Sequence, residues 1–308
     1  MYPQIERNEL RGRGVLSTMT QNGTRTFLTR RKFLQLLGGL TITTATVIGY
    51  GRALEPHWVD VETIPLAVAG LPANLSGKRI GQLSDIHLSQ YFSPDRLLAA
   101  VETINALAPD WLFLTGDYVG DDARSAQGLI EPLRQLKMPT FASFGNHDHW
   151  SNLAIVQSML TQTPVKILRN AATQLADQLW VAGIDDLWSG RPDLKAALRD
   201  VPTGVTTLLL AHEPDFFDRV VQQQAPVAVQ FSGHSHGGQV RLPLLQAGAD
   251  GLHTYAPILP RYAKHYPMGL RKIGERQVYT NRGLGVWPIP YRLNCRPELS
   301  LFTLQPRS

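Results

Sequence analysis

Trp111-Leu112-Phe113-Leu114-Thr115-Gly116-Asp117 carries no charge until its last residue, and it closes on a glycine followed by a carboxylate. A short apolar run of this kind reads as a strand buried on both faces. The same grammar recurs along the chain. Ile80 to Ser84 leads into Asp85-Ile86-His87, and Thr140 to Phe144 leads into Gly145-Asn146-His147-Asp148. Thr206 to Ala211 leads into His212, and Val227 to Phe231 leads into Gly233-His234-Ser235-His236. Five strands thus deliver oxygen and nitrogen donors just past their carboxyl ends, the edge at which α/β sheets bind ligands. Asp117 is expected at the centre of a two-metal hydrolytic site that the other four clusters complete.

Helical patterns separate these strands. Ser93-Pro94-Asp95 is a helix start, with a cap residue, a proline in the first turn and an acidic residue after it. Leu97, Leu98, Val101, Ile104 and Leu107 follow at helical spacing until Pro109. Residues 125–136 and 151–160 read as further helices, the second capped by Ser151. Strand–helix alternation from residue 78 to 232 predicts an α/β layered fold. Residues 242–290, rich in proline, glycine and aromatics, are expected to form long loops around the active edge.

Composition narrows the chemistry. The chain has 308 residues, 43% of them apolar, enough for one large core and a small appendage. Its one cysteine, Cys295, excludes an intramolecular disulfide and a thiolate zinc cage, so a metal must be held by imidazole, carboxylate and amide groups. The net charge is +5, but residues 1–52 hold eight Lys/Arg against two Glu, and the remainder is close to neutral. Within that remainder, residues 241–308 carry ten basic and three acidic groups. The basic balance is therefore local. No nucleic-acid partner is expected, whereas a patch for an anionic head group fits.

Residues 1–28 are polar, glycine-containing and without apolar period, and are expected to be disordered. Thr29-Arg30-Arg31-Lys32-Phe33-Leu34 then precedes a moderately apolar run from Leu36 to Gly51. This resembles a twin-arginine export signal, with Gln35 where a lysine is usual. The run is short and polar for a membrane span, and Gly51-Arg52-Ala53 is a loose cleavage site. The expected organisation is an extension over 1–28, a signal or anchor over 29–55, and a catalytic domain over 56–308. The expected location is outside the cytoplasmic membrane, reached through the twin-arginine machinery.

Other motifs fail. His212-Glu213 lacks the second histidine of a zincin, because Phe216 stands in its place. There is no Gly-rich phosphate cradle with lysine and no G-x-S-x-G elbow. The ordered set of D-x-H, GD, GNHD, H and GHSH instead resembles the calcineurin-like metallophosphoesterase superfamily. Val181 to Asp186, Ala211 to Asp215, Gly233 to Gln239, Asn281 to Gly285 and Tyr291 to Glu298 are similar to its branch of twin-arginine-exported phosphodiesterases.

That resemblance implies a four-layer α/β/β/α sandwich of two mixed sheets. It assigns Asp85, His87 and His236 to one divalent cation, Asn146, His212 and His234 to a second, and Asp117 to both. Two such cations sit roughly 3.5–4 Å apart and acidify a shared water for attack on phosphorus. Mixed nitrogen and oxygen ligation points to manganese, iron or zinc. His147 is expected to act as the acid for the leaving alkoxide, with Asp148 fixing its tautomer. His149 is read as loop structure, and His57, His253 and His265 as surface residues.

Trp150, Trp188, Trp287, Tyr255 and Tyr262 fall on presumed active-edge loops, near Arg191, Arg241, Arg261, Lys264 and Arg271. Aromatics mixed with cations suit an anionic phosphoester at a membrane surface. The expected reaction is hydrolysis of a phosphodiester or pyrophosphate in a phospholipid or lipid-linked nucleotide. Its rivals are a phosphomonoesterase or phosphoprotein phosphatase, and a non-catalytic metal-containing binding protein.

Overall fold

In the computed structural model, which describes residues 29–243 and 254–307, every residue of Trp111–Thr115 is buried. Period-two alternation sends Trp111 and Phe113 into one core and Leu112 and Leu114 into another. A strand sandwiched in this way has no solvated face, which is why it reads as an unbroken apolar run.

The chain divides into residues 1–45 and a body from Thr46 to Ser308. The predicted disorder over 1–28 lies outside the described residues. The elements begin with α1 (Arg30–Ala53), β1 (Asp60–Val68), β2 (Arg79–Leu83), α2 (Pro94–Leu107) and β3 (Trp111–Thr115). Next come α3 (Ile130–Arg134), β4 (Thr140–Ser143), α4 (Asn146–Leu160), β5 (Val165–Ile167), β6 (Ala171–Ala176) and β7 (Leu179–Gly183). They continue with α5 (Leu194–Ala197), β8 (Thr206–Leu210), α6 (Phe217–Gln222) and β9 (Val229–Ser232). The last are β10 (Leu242–Pro243), β11 (Thr254–Tyr255), β12 (Gly269–Ile273), β13 (Arg276–Thr280) and β14 (Glu298–Pro306).

One sheet runs β1-β14-β2-β3-β4-β5, parallel except at β14–β2. The other runs β12-β13-β9-β8-β7-β6, with its outer pairs antiparallel. Phe113, Phe141 and Phe302 of the first sheet meet Leu208, Leu210 and Phe231 of the second in the core between them. Phe231 lies edge-on to Phe113 and to Phe302, each at a ring separation of 5.1 Å. Leu97, Val101 and Ile104 of α2 and Val156 and Leu160 of α4 cover the first sheet. Phe217 and Val220 of α6 and Ala197 of α5 cover the second. The four-layer α/β/β/α sandwich of two mixed sheets is therefore present.

Several local readings need correction. α2 starts as expected, its first turn capped by Ser93. Residues 125–136 are a 3-10 turn over Ala123–Leu129 followed by the short α3. Ser151 does not cap a helix. α4 begins at Asn146 because the Asp148 carboxylate accepts the Gly145 N–H at 2.9 Å, and the chain breaks at Asn152, whose side chain caps the second segment through Ile155 N. Residues 242–290 are not all loop, since β12 and β13 form a hairpin there. The apolar run is longer than expected: α1 is long and apolar enough to cross a membrane by length and composition.

Candidate metal centre

The strand-end loops of the first sheet run side by side. Asp85 N donates to Gly116 O at 3.1 Å and His87 N to Asp117 O at 3.0 Å. To place their side chains inward, Asp85, His87, Asp117, His234 and His236 all adopt left-handed backbone, with φ between 48° and 68°. Such conformations cost a non-glycine residue about 1–3 kcal/mol each and persist where the surroundings over-determine them. Gly145 is required for room. A Cβ there would lie 2.7 Å from His212 Nε2 and would run into Asp117 Oδ1.

The donors converge. His87 Nε2 lies 3.0 Å from His236 Nε2 and 3.5 Å from Asp117 Oδ2. His236 Nε2 is 3.4 Å from Asp85 Oδ1, and His212 Nε2 is 3.1 Å from Asp117 Oδ2. Asp85, His87 and His236 form one cluster, Asp117, His212 and His234 a second, and His87, Asp117 and His147 a third. Within each cluster the donor atoms lie within 4.8 Å of one another. Asn146 Oδ1 is buried without a hydrogen-bond partner, and buried His212 Nε2 has the Asp117 carboxylate beside it without an aligned hydrogen bond. Buried polar atoms are rarely left so, and this donor set fits divalent cations.

Electrostatics agree. Burial pushes His87 and His234 down to about 3 and His236 well below its ordinary value, keeping these imidazoles neutral with lone pairs available. Burial also opposes charge on His212, but Asp117 overrides it and holds His212 well above the usual range. Burial works against ionisation of Asp117 too, yet His212 and His147 keep its carboxyl well below the carboxylate range. Asp117 thus draws positive charge to its side, the demand a cation meets.

Backbone carbonyls aim the rings. His212 Nδ1 donates to Thr115 O at 2.6 Å, and His234 Nε2 donates to Arg261 O at 2.7 Å. These partners set which nitrogen faces the centre, Nε2 for His212 and Nδ1 for His234. Sequence reading missed them, because any residue type offers a carbonyl.

The reading of Asp148 is overturned. Its carboxylate does not meet His147; it accepts Asp117 N at 3.0 Å, Tyr118 N at 2.8 Å and Gly145 N at 2.9 Å. Asp148 therefore ties the Asp117 and Gly145 loops together. His147 is oriented instead by Gly120 O, 2.6 Å from Nδ1, while its backbone N–H donates to Asp117 Oδ1 at 2.8 Å. His149 is not loop but helix, bonded to Asp185 at 2.9 Å. His57 is exposed, exposed His265 pairs with Asp218, and His253 lies outside the described residues.

An aromatic wall surrounds the centre. Trp287 stacks on His87 at 6.0 Å and meets His147 edge-on at 5.4 Å. Trp150 packs on His147 at 4.8 Å and on Trp188 at 4.9 Å, and Trp188 reaches His234 and Tyr262. Two carboxylates hold this wall: Glu213 accepts the amides of Leu187 and Trp188, and Asp185 accepts Arg191 N.

Residues 78–238 match the model of the calcineurin-like phosphoesterase family. The chain belongs to that family. This phosphoesterase is 35% identical over 292 residues to the uncharacterized metallophosphoesterase YkuE of Bacillus subtilis, covering 90% of the chain and 98% of the relative. It is 33% identical over 287 residues to the phosphodiesterase YaeI of Escherichia coli, covering 90% and 99%. It is 27% identical over 328 residues to the UDP-2,3-diacylglucosamine pyrophosphatase LpxG of Chlamydia trachomatis, covering 85% and 96%. The calcineurin-like phosphoesterase is a metal-dependent phosphoester hydrolase.

Proposed function

We propose that the protein is a dinuclear phosphodiesterase acting on a phosphoester with a large apolar substituent, at the outer face of the membrane. Asp85, His87 and His236 would hold one cation, Asn146, His212 and His234 another, with Asp117 shared. When bound, such cations supply charge compensation for the transferring phosphoryl group and an acidified water. The chain supplies the rest. Asp117 would offset repulsion between the cations, while the neutral imidazoles of His87, His234 and His236 and the Asn146 amide would leave the centre positive enough to attract phosphate. His147 Nδ1–H donates to Gly120 O; in the doubly protonated ring Nε2–H would pass its proton to the leaving alkoxide, and the ring would return to the neutral Nδ1–H tautomer.

The observation that supports a diester is the wall of Trp150, Trp188, Trp287 and Tyr262 against the ligand rings. A monoester has no second substituent to lay on it. Trp150 is 50% exposed, and Ile289, two residues after Trp287, is 61% exposed, which suits the edge of the wall to a lipid phase. The similarity to proteins named as a phosphodiesterase and as a diacylglucosamine pyrophosphatase favours the same class. With added manganese, bis-nitrophenyl phosphate is expected to be hydrolysed faster than nitrophenyl phosphate. Trp188→Ala is expected to lower kcat/KM for the diester roughly 10-fold, as loss of an aromatic contact of about 1.5 kcal/mol implies. Preference for the monoester, or an equal loss on both substrates, would sink the diester reading.

Thr29 to Leu34 and the apolar α1 support export through the twin-arginine machinery. Replacing Arg30 and Arg31 with lysine is expected to leave the protein in the cytoplasm, as fractionation would show. Unchanged export would refute that route.

A further inference from the structure

The end of α1 is built into the body of the protein. Arg292 N donates to Gly51 O at 2.9 Å, and the Tyr291 hydroxyl donates to Val47 O at 3.2 Å. Gly51 is buried, and a Cβ on it would run into the Tyr291 ring. Glu55 is 1% exposed and accepts Cys295 N at 2.5 Å through Oε1, while Pro56 O accepts the Arg96 guanidinium. The segment from Val47 to Pro56 therefore closes over residues 291–295.

That contact leads to a proposed metal ligand through one side chain. Arg292 is completely buried, and its guanidinium donates to the carbonyls of Cys295 at 2.9 Å, Arg282 at 2.8 Å, Gly283 at 3.1 Å and Gly285 at 2.7 Å. Five N–H groups in a rigid fork suit Arg292 to gathering several carbonyls. The loop so gathered lies along the Asp85 turn: Gly285 N donates to Asp85 O at 2.8 Å and Leu284 N to Ser84 O at 3.0 Å. The loop continues into Trp287, which stacks on His87.

We infer that the apolar N-terminal helix stays on the mature chain, because its last turn clamps the Arg292 loop against the Asp85 side of the metal centre. The inference rests on the assignment of Asp85 as a metal ligand, not on the substrate class. Tyr291 and Arg292 are positioning residues in this scheme. Scission after Ala53 would remove the acceptors Val47 O and Gly51 O and leave the buried Arg292 N–H without a partner, a poor outcome for a buried donor. The helix is thus an anchor and a structural part of the site at once.

The test uses the full chain, expressed with its own N-terminus and recovered from the cell envelope. Intact-mass measurement is expected to show an N-terminus before Val47; any start beyond Val47 overturns the inference. Tyr291→Ala in the full chain is expected to weaken manganese retention, measured by chelator competition, by ~10-fold or more, as loss of an outer partner does. The same variant should become open to proteolysis between residues 286 and 296, and Tyr291→Phe, which keeps the ring against Gly51, should restore both properties. Unchanged metal retention in Tyr291→Ala, or failure of the Phe variant to restore it, would also overturn the clamp. Neither readout involves substrate, so a monoester preference would sink the diester reading and leave this inference standing.

Discussion

Asp117→Asn is expected to strip the centre of metal and to lower turnover by roughly 10³-fold or more, well beyond the ~10–100-fold that loss of an outer partner costs. Asp117 Oδ1 accepts the His147 amide at 2.8 Å, which fixes the carboxylate, and Oδ2 then lies 3.1 Å from His212 Nε2 and 3.5 Å from His87 Nε2. Asparagine keeps that shape but loses the charge, and its NH₂ group would face either the His147 N–H or the imidazole donors. Metal analysis of the purified variant, together with its turnover, checks this. An Asp117→Asn protein holding the wild-type amount of metal and turning over normally would remove Asp117 from the centre.

His147→Ala and Asp148→Asn are expected to separate two neighbours that the sequence reading joined. Loss of His147 should leave metal content intact and reduce kcat by ~10²–10⁴-fold, the range for a positioned acid. Because His147 also offers a nitrogen near His87 and Asp117, loss of metal would mark it as a ligand instead. Asp148→Asn should act differently. One carboxylate oxygen takes the Tyr118 N–H and the other takes the amides of Asp117 and Gly145, so an amide NH₂ must meet an N–H donor. A buried mismatch of this kind costs about 1–3 kcal/mol. The expected signature is lower unfolding temperature with weaker metal retention, and thermal melts with and without manganese would read it. Full stability with a purely catalytic loss would return Asp148 to the role first expected of it.

What was legible in the sequence follows from what strands and ligands demand. Trp111–Thr115 announces itself because both faces are buried and no polar residue is tolerated. The clusters after each strand were legible because donor side chains at a buried edge have few other uses. The outer strands were not. β1 contains Pro65, which argues against a strand, and it survives because β1 lies at the sheet edge, paired on one side with β14. The turn at Gly274-Glu275 that makes the β12–β13 hairpin sits in a stretch whose prolines and aromatics read as loop.

The roles within the site were legible only to the level of residue type. Asp148 follows His147 in sequence, yet the first turn of α4 carries the two side chains in different directions. A helix turns by roughly 100° per residue, so adjacent residues do not face one another. The expected Asp–His pair was therefore ruled out once α4 started at Asn146 instead of Ser151. The glycines at 116 and 145 were noted as punctuation, whereas their positions next to His212 make them clearance for its ring.

The left-handed turns at Asp85, His87, Asp117, His234 and His236 bear on when the metals arrive. An unfolded chain has no reason to hold five donors in disfavoured conformations, and His87 and His236 are 149 positions apart along the chain. A cage that draws on the ends of both sheets is expected to assemble only once they have closed on each other, and ions would load after that step. Whichever ions surround the protein at that moment would fill the cage, and an enzyme exported already folded would carry the cytoplasm's choice of metal with it.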